Sequence, residues 1–226
     1  MKYNDPLIVA VTGGMGSGQS TVSSYFEEWG CMVLNADNEA KRVIQKNAAL
    51  RSDLRRTFGN DIFFRNRKLN TKRLAEIAFS DELQTRRLNQ LVHPRMVESI
   101  IEKMEKARFS GKYPIIIVDA ALIYEISIER NFDYVIVVSA PVSIRQKRVF
   151  ERDNISRNSF NDRISKQIKL EEKAKWADYV IQNKGTLDEL KKNSRDVFSM
   201  LMKKVKSDKG PRPSRSRGGR RTTRQK

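Results

Sequence analysis

The 226 residues include 45 Lys and Arg against 27 Asp and Glu, a formal net charge of +18, with 38% hydrophobic residues and a single cysteine. That composition suits one α/β domain with a small inserted subdomain, and it excludes an intramolecular disulfide. No stretch reaches the roughly 20 apolar residues of a transmembrane helix, and no basic region followed by an apolar run and a cleavage site opens the chain, so a cytoplasmic protein is expected.

In chain order, the first element is an apolar, β-branched run, Leu7 to Thr12, which reads as a buried strand. It leads into Gly13-Gly14-Met15-Gly16-Ser17-Gly18-Gln19-Ser20, and Ser20 to Phe26 reads as the helix that follows. The spacing is that of a phosphate-binding P-loop at every defined position except Gln19, where the pattern requires lysine. Glycines without a Cβ let successive backbone N–H groups curl around phosphate oxygens, and the helix N-terminus adds partial positive charge. Ser20 is then a candidate for the Mg²⁺ shell, whereas Gln19 can donate a hydrogen bond but carries no charge.

A second strand, Met32 to Leu34, includes the end of the apolar run that begins at Cys31, which reads as a buried structural thiol. Asp37 follows it. A carboxylate beyond the carboxyl end of a parallel strand suits a general base, but Asn35-Ala36-Asp37-Asn38-Glu39 also reads as a helix start with Asp37 as N-cap or first-turn residue, and spacing alone favours the cap. Residues 38–110 are too long for a simple crossover and predict a helical substrate-side insert, with a turn around Asn60 to Asn70. Within it His93, the only histidine, precedes Pro94, which predicts a structural turn, with substrate contact as the alternative.

Ile115 to Asp119 is an apolar strand ending in a carboxylate, which suits the second element of a nucleotide site, the one that holds Mg²⁺. Strands at Tyr134 to Val138 and Tyr179 to Gln182 complete five. Between them a helical pair at about 141–175 carries Arg145, Arg148, Arg152, Arg157, Arg163 and Lys166: either a lid whose guanidinium groups close over phosphates or a solvated face. The expected fold is α/β, a P-loop kinase-like five-stranded parallel sheet with helices on both faces, a helical substrate subdomain and a lid, over residues 1–205.

The charge is unevenly divided. Residues 203–226 hold eleven Lys or Arg and one Asp, a net of +10, leaving +8 for the other 202 residues. Residues 206–226 therefore read as a disordered basic tail, which either binds RNA, DNA or an anionic surface or serves as a solvated extension.

The order of these elements resembles the dephospho-CoA kinase family over about residues 7–200. The marks are Thr12 to Gly18 with Ser20-Thr21, Ala36-Asp37, Leu91-Val92-His93-Pro94, and Asp119 with Leu122 and Glu125. Arg148 with Arg152-Asp153, Arg163 with Gln167, and Ala177 to Ile181 with Asn183 and Gly185 extend it. The resemblance implies ATP and Mg²⁺ as cofactors and dephospho-CoA as the small-molecule substrate, phosphorylated on its ribose 3′-hydroxyl. It implies Asp37 as catalytic base, with Gly14, Gly16, Ser17, Gly18, Gln19, Ser20 and Thr21 as the ATP site and Asn183 near the adenine. His93 and Pro94 fall on the dephospho-CoA side, Arg152 and Arg163 in the lid, and Ser20 and Asp119 toward the metal.

Three positions depart from the family's usual pattern, which has Lys where Gln19 stands, Asp where Asn35 stands and Pro where Ala121 stands. Loss of one preorganised cation costs on the order of 10² to 10³ in rate. Two readings follow: a kinase in which Mg²⁺ and lid arginines compensate for Gln19, or a catalytically impaired nucleotide-binding paralogue that acts as an interaction module through its tail.

Overall fold

A computed structural model describes Tyr3, residues 5–154 and residues 156–207. The basic tail from residue 208 onward lies outside the described residues.

Five runs of apolar, largely β-branched residues form one parallel sheet: β1 (Leu7–Gly13), β2 (Met32–Asn35), β3 (Ile115–Asp119), β4 (Tyr134–Ser139) and β5 (Tyr179–Gln182). Their order is β2-β3-β1-β4-β5. Every residue of β3 and all but Ile8 of β1 are buried, as central strands covered on both faces must be. Parallel pairing sends all five carboxyl ends to one edge, where Val11 and Asn35 both pair with Asp119, and Gly13 pairs with Val138.

Nine helices are seen among the described residues: α1 (Gln19–Glu28), α2 (Ala36–Lys46), α3 (Ala48–Phe58), α4 (Thr71–Ala78), α5 (Glu82–Ser110), α6 (Val142–Asp153), α7 (Arg157–Ser165), α8 (Leu170–Trp176) and α9 (Leu187–Ser207). Alternating strand residues feed two cores. Val9, Val11, Ile117 and Val138 pack with Val22 and Phe26 of α1 and Phe198 and Leu201 of α9. Ala10, Ile116, Val118 and Val137 pack with Ile100 and Ala107 of α5 and Leu170 of α8. A third core, with Val43, Leu50, Leu54, Phe58, Leu74 and Val92, closes α2 to α5 on themselves.

Two expectations are corrected. His93 and Pro94 do not make a turn; they lie in the middle of the 29-residue α5. Proline leaves the Gln90 carbonyl without its helical N–H partner but does not end a helix whose apolar residues are already committed to two cores. The helical pair at 141–175 is three helices, α6 to α8, because Asn154 takes a left-handed conformation (φ 51°) after α6 and Ser156 caps a new helix through the Ser159 N–H.

Candidate active site

The loop from β1 to α1 is built against α6 and β5. Gly18 is the N-cap of α1 at φ +91°, and a Cβ there would sit 2.2 Å from Asn183 Nδ2. Gly16, at φ +76°, leaves 2.6 Å between its ideal Cβ position and the Arg145 carbonyl. Buried Asn183 donates to the Ser17 carbonyl at 2.7 Å, and Arg148 donates to Asn183 Oδ1 at 3.1 Å and to its backbone carbonyl at 3.2 Å. Arg145 is 4% exposed and donates to the carbonyls of Ala140 and Met15. Burial pulls its pKa down. Arg145 and Arg148 thus support the loop from beneath, where the sequence offered either a lid closing over phosphates or a solvated face.

α1 has no side-chain cap and no acidic residue in its first turn, so its N-terminal donors and dipole are available to an anion. Ser17 adds a buried hydroxyl that has no hydrogen-bond partner among the described residues. Gly14, Gly16, Ser17, Gly18, Gln19, Ser20 and Thr21 all belong to this loop and first turn, with Ser20 exposed.

Asp119, 3% exposed, ends β3 beside the loop. Gln19 Nε2 donates to its Oδ1, and Asn35 Nδ2 donates to its Oδ2 at 2.9 Å. Burial raises its pKa above the ordinary carboxylate value; the Gln19 and Asn35 amides pull it back, and the charge of Asp37 adds to the rise. Neither amide partner of Asp119 was visible in the sequence, because both contacts span more than eighty residues.

Asn35 serves twice. Its Oδ1 accepts from the Asn38 N–H at 2.9 Å and caps α2, so the helix-start reading holds but the cap is Asn35, not Asp37. Asp37 lies exposed in the first turn of α2. Two residues on, buried Glu39 accepts from Arg42, Ser99 and Lys103 and ties α2 to α5. Burial opposes its ionisation, but these donors prevail and hold its pKa down at about 2.

The remaining expected residues stand elsewhere. Half-buried His93 has its pKa lowered by burial, and Pro94 beside it is exposed. One turn away, Gln90 and Leu91 line a cavity of about 460 Å³ with Arg56, Thr57 and Arg87. Arg152, in the last turn of α6, bonds Asp153 at 2.9 and 2.7 Å; Arg163 of α7 acts on the same carboxylate through its charge. Both arginines are exposed. Fully buried Lys173 of α8 pairs with Glu125 at 2.6 Å and donates to the Ala121 carbonyl at 2.9 Å, which also accepts from Thr12. It pins the segment after β3 through a backbone oxygen, so this contact does not depend on the side chain at position 121.

A divalent ion fits the donor set at the sheet edge. Asp119 keeps lone pairs on oxygens that each accept an amide hydrogen bond, and the Ser20 hydroxyl is one residue beyond Gln19. Mg²⁺ is commonly held by one or two side-chain oxygens together with phosphates and water.

Comparison with known proteins agrees with this architecture. The dephospho-CoA kinase family model matches residues 7–189. A dephospho-CoA kinase of Salinibacter ruber is 35% identical over 190 residues, covering 84% of this chain and 95% of that protein. A Thermus thermophilus crystal structure superposes with a TM-score of 0.73 at 30% identity, covering 87% of this chain and 98% of the other. The dephospho-CoA kinase of Campylobacter jejuni superposes with a TM-score of 0.62 at 25% identity, covering 88% and 98%.

Proposed function

The chain belongs to the dephospho-CoA kinase family, and from that premise we propose that it uses ATP to phosphorylate the ribose 3′-hydroxyl of dephospho-CoA, with Asp37 as the base. The 3′-oxygen attacks the γ-phosphorus, its proton passes to the Asp37 carboxylate, and the bond from the γ-phosphorus to the bridging oxygen breaks as ADP leaves. The observation that carries this reading is the common origin of two elements at one sheet edge. Asp119 bonds Gln19 at the start of α1 and Asn35 at the start of α2, so the phosphate loop and Asp37 are referred to one carboxylate.

Gly14 to Thr21 cradle the phosphates through backbone donors and the α1 dipole. Asn183, fixed to the loop by Ser17 and Arg148, sets the wall on which the adenine rests. Ser20 and Asp119 would hold Mg²⁺, which when bound would neutralise charge on the transferring phosphoryl group. Arg152 and Arg163 exchange Asp153 for phosphate oxygens when the α6–α7 segment closes, which supplies cationic charge where Gln19 gives none. The α2–α5 subdomain around His93 and Pro94 receives dephospho-CoA. The basic tail, by its charge alone, is assigned to contact with a polyanion in the cytoplasm. Among the described residues no helix is long and apolar enough to cross a membrane.

The test is single-turnover transfer from ATP to dephospho-CoA with Mg²⁺, comparing the protein with Asp37→Ala. Loss of a positioned base is worth roughly 10² to 10⁴ in rate. Transfer that survives Asp37→Ala within a few fold removes Asp37 as the base. No transfer by the unaltered protein, with ATP still bound, identifies a nucleotide-binding paralogue without this activity.

A further inference from the structure

We propose that Gln19 and Asn35 form a coupled positioning pair that acts through Asp119, the two amides together replacing a cation and an acid that the family usually has at these positions. The inference rests on the kinase reading for what the pair serves, but the coupling itself rests on the geometry.

Each amide uses its N–H on a different oxygen of one carboxylate: Gln19 on Oδ1, Asn35 on Oδ2. Asp119 is 3% exposed, so it cannot recover a lost donor by turning to bulk water. The carboxylate therefore fixes the Gln19 side chain at the first residue of α1 and the Asn35 side chain at the end of β2, on either side of β3. Asn35 passes this constraint on, because its remaining oxygen caps α2 and thereby sets the first turn that carries Asp37. The two helix starts facing the reaction are locked to each other by three side chains.

Charge gives the pair its coupling. A lysine and an aspartate at positions 19 and 35 sum to zero, and so do two amides. Buried Asp119 already gives the edge one negative charge; Gln19→Lys alone offsets it, whereas Asn35→Asp alone doubles it. Asn35→Asp by itself removes the donor to Oδ2 and sets a second carboxylate against Asp119, with only the neutral Gln19 amide and Ser23 hydroxyl facing the pair and Asp37 already nearby. Asn35→Asp together with Gln19→Lys supplies an ammonium to the same group and returns the edge to its original net charge. In sequence the two amides stand apart, one in place of a cation and the other in place of an acid; their meeting on one carboxylate makes them a single feature.

The experiment is a double-mutant cycle of Gln19→Lys and Asn35→Asp in the full chain, read by thermal denaturation without ligand, by ATP binding, and by kcat and KM for dephospho-CoA. Asn35→Asp alone is expected to lower Tm by several degrees, to weaken ATP binding, and to reduce kcat at least tenfold while KM for dephospho-CoA moves less than threefold. In the Gln19→Lys background the same change is expected to cost less than a third as much by each measure. Gln19→Met, which keeps the volume and loses the donor, is a second variant should Asn35→Asp not fold; it is expected to lower kcat while leaving KM for dephospho-CoA near its original value. Additivity within twofold in ATP affinity, together with additive Tm shifts, overturns the proposal. So does an unchanged kcat in Gln19→Met. The thermal and ATP cycles report the coupling even if no transfer is detected, so failure of the kinase reading and failure of the pair are separate results.

Discussion

Gly18 shows how one residue without a side chain holds the nucleotide loop in place. An alanine there must adopt φ +91° and put its Cβ 2.2 Å from Asn183 Nδ2, which is committed to the Ser17 carbonyl. Left-handed backbone costs a residue with a Cβ roughly 1–2 kcal/mol, and displacement of buried Asn183 adds an unsatisfied amide worth about 1–3 kcal/mol. Gly18→Ala is therefore expected to lower Tm by roughly 4–20 °C and to weaken ATP binding at least tenfold, measured by calorimetry; retention of both would mean that Asn183 does not fix the loop. At this scale the sequence was legible where the constraint is local. Glycine spacing from Gly13 to Gly18 announces the loop, because positive φ and close backbone approach are read off one short stretch. It was not legible where a polar side chain finds its partner across the fold: nothing near Gln19 in sequence points to Asp119, and nothing near Arg145 separates an exposed cation from one buried under the loop.

Among the elements, α2 depends on a buried carboxylate for its place on α5. Glu39 ionises against the cost of burial because Arg42, Lys103 and Ser99 all donate to it, and its pKa falls from 4.5 to about 2. A carboxyl whose folded pKa is depressed stabilises the fold above its unfolded value. That contribution is complete above about pH 4.5 and is lost as the pH falls from there to about 2. Glu39→Gln, which strands two cations, is expected to cost on the order of 3 kcal/mol at neutral pH, near 10 °C in Tm, and to flatten the acid limb of the stability curve. An unaltered acid limb in the variant would remove Glu39 as its source. The same element scale explains which parts of the architecture could be read in advance. Five apolar runs predicted five strands because β-branched composition marks them locally, in the exposed edge strand β5 as in the buried β3. The helix through His93 and Pro94 was misread because proline is a local signal for a break, whereas the packing of Val92 and Ile100 into separate cores is a property of the assembled protein.

For the molecule as a whole, parallel pairing does what no single element does: it delivers Gly13, Asn35, Asp119 and Gln182 to one edge, and the helical subdomain and α6 to α8 are arranged from there. Charge is distributed on a different plan. More than half of the net +18 belongs to residues 203–226, whose composition contributes almost nothing to a core. Catalysis at the sheet edge and polyanion contact through the tail are therefore expected to separate. Residues 209–226 carry eight Lys or Arg, so a slope of log affinity against log salt of about −6 to −7 is the limit if all of them meet phosphates. Deleting residues 209–226 is expected to bring that slope close to zero for a single-stranded RNA or DNA probe while ATP affinity and Tm stay within twofold and 2 °C of the full chain. Equal loss of nucleotide and nucleic-acid binding on deletion would show that the tail belongs to the kinase site. A full-length protein with no salt-dependent binding would show that its eight charges are simply hydrated.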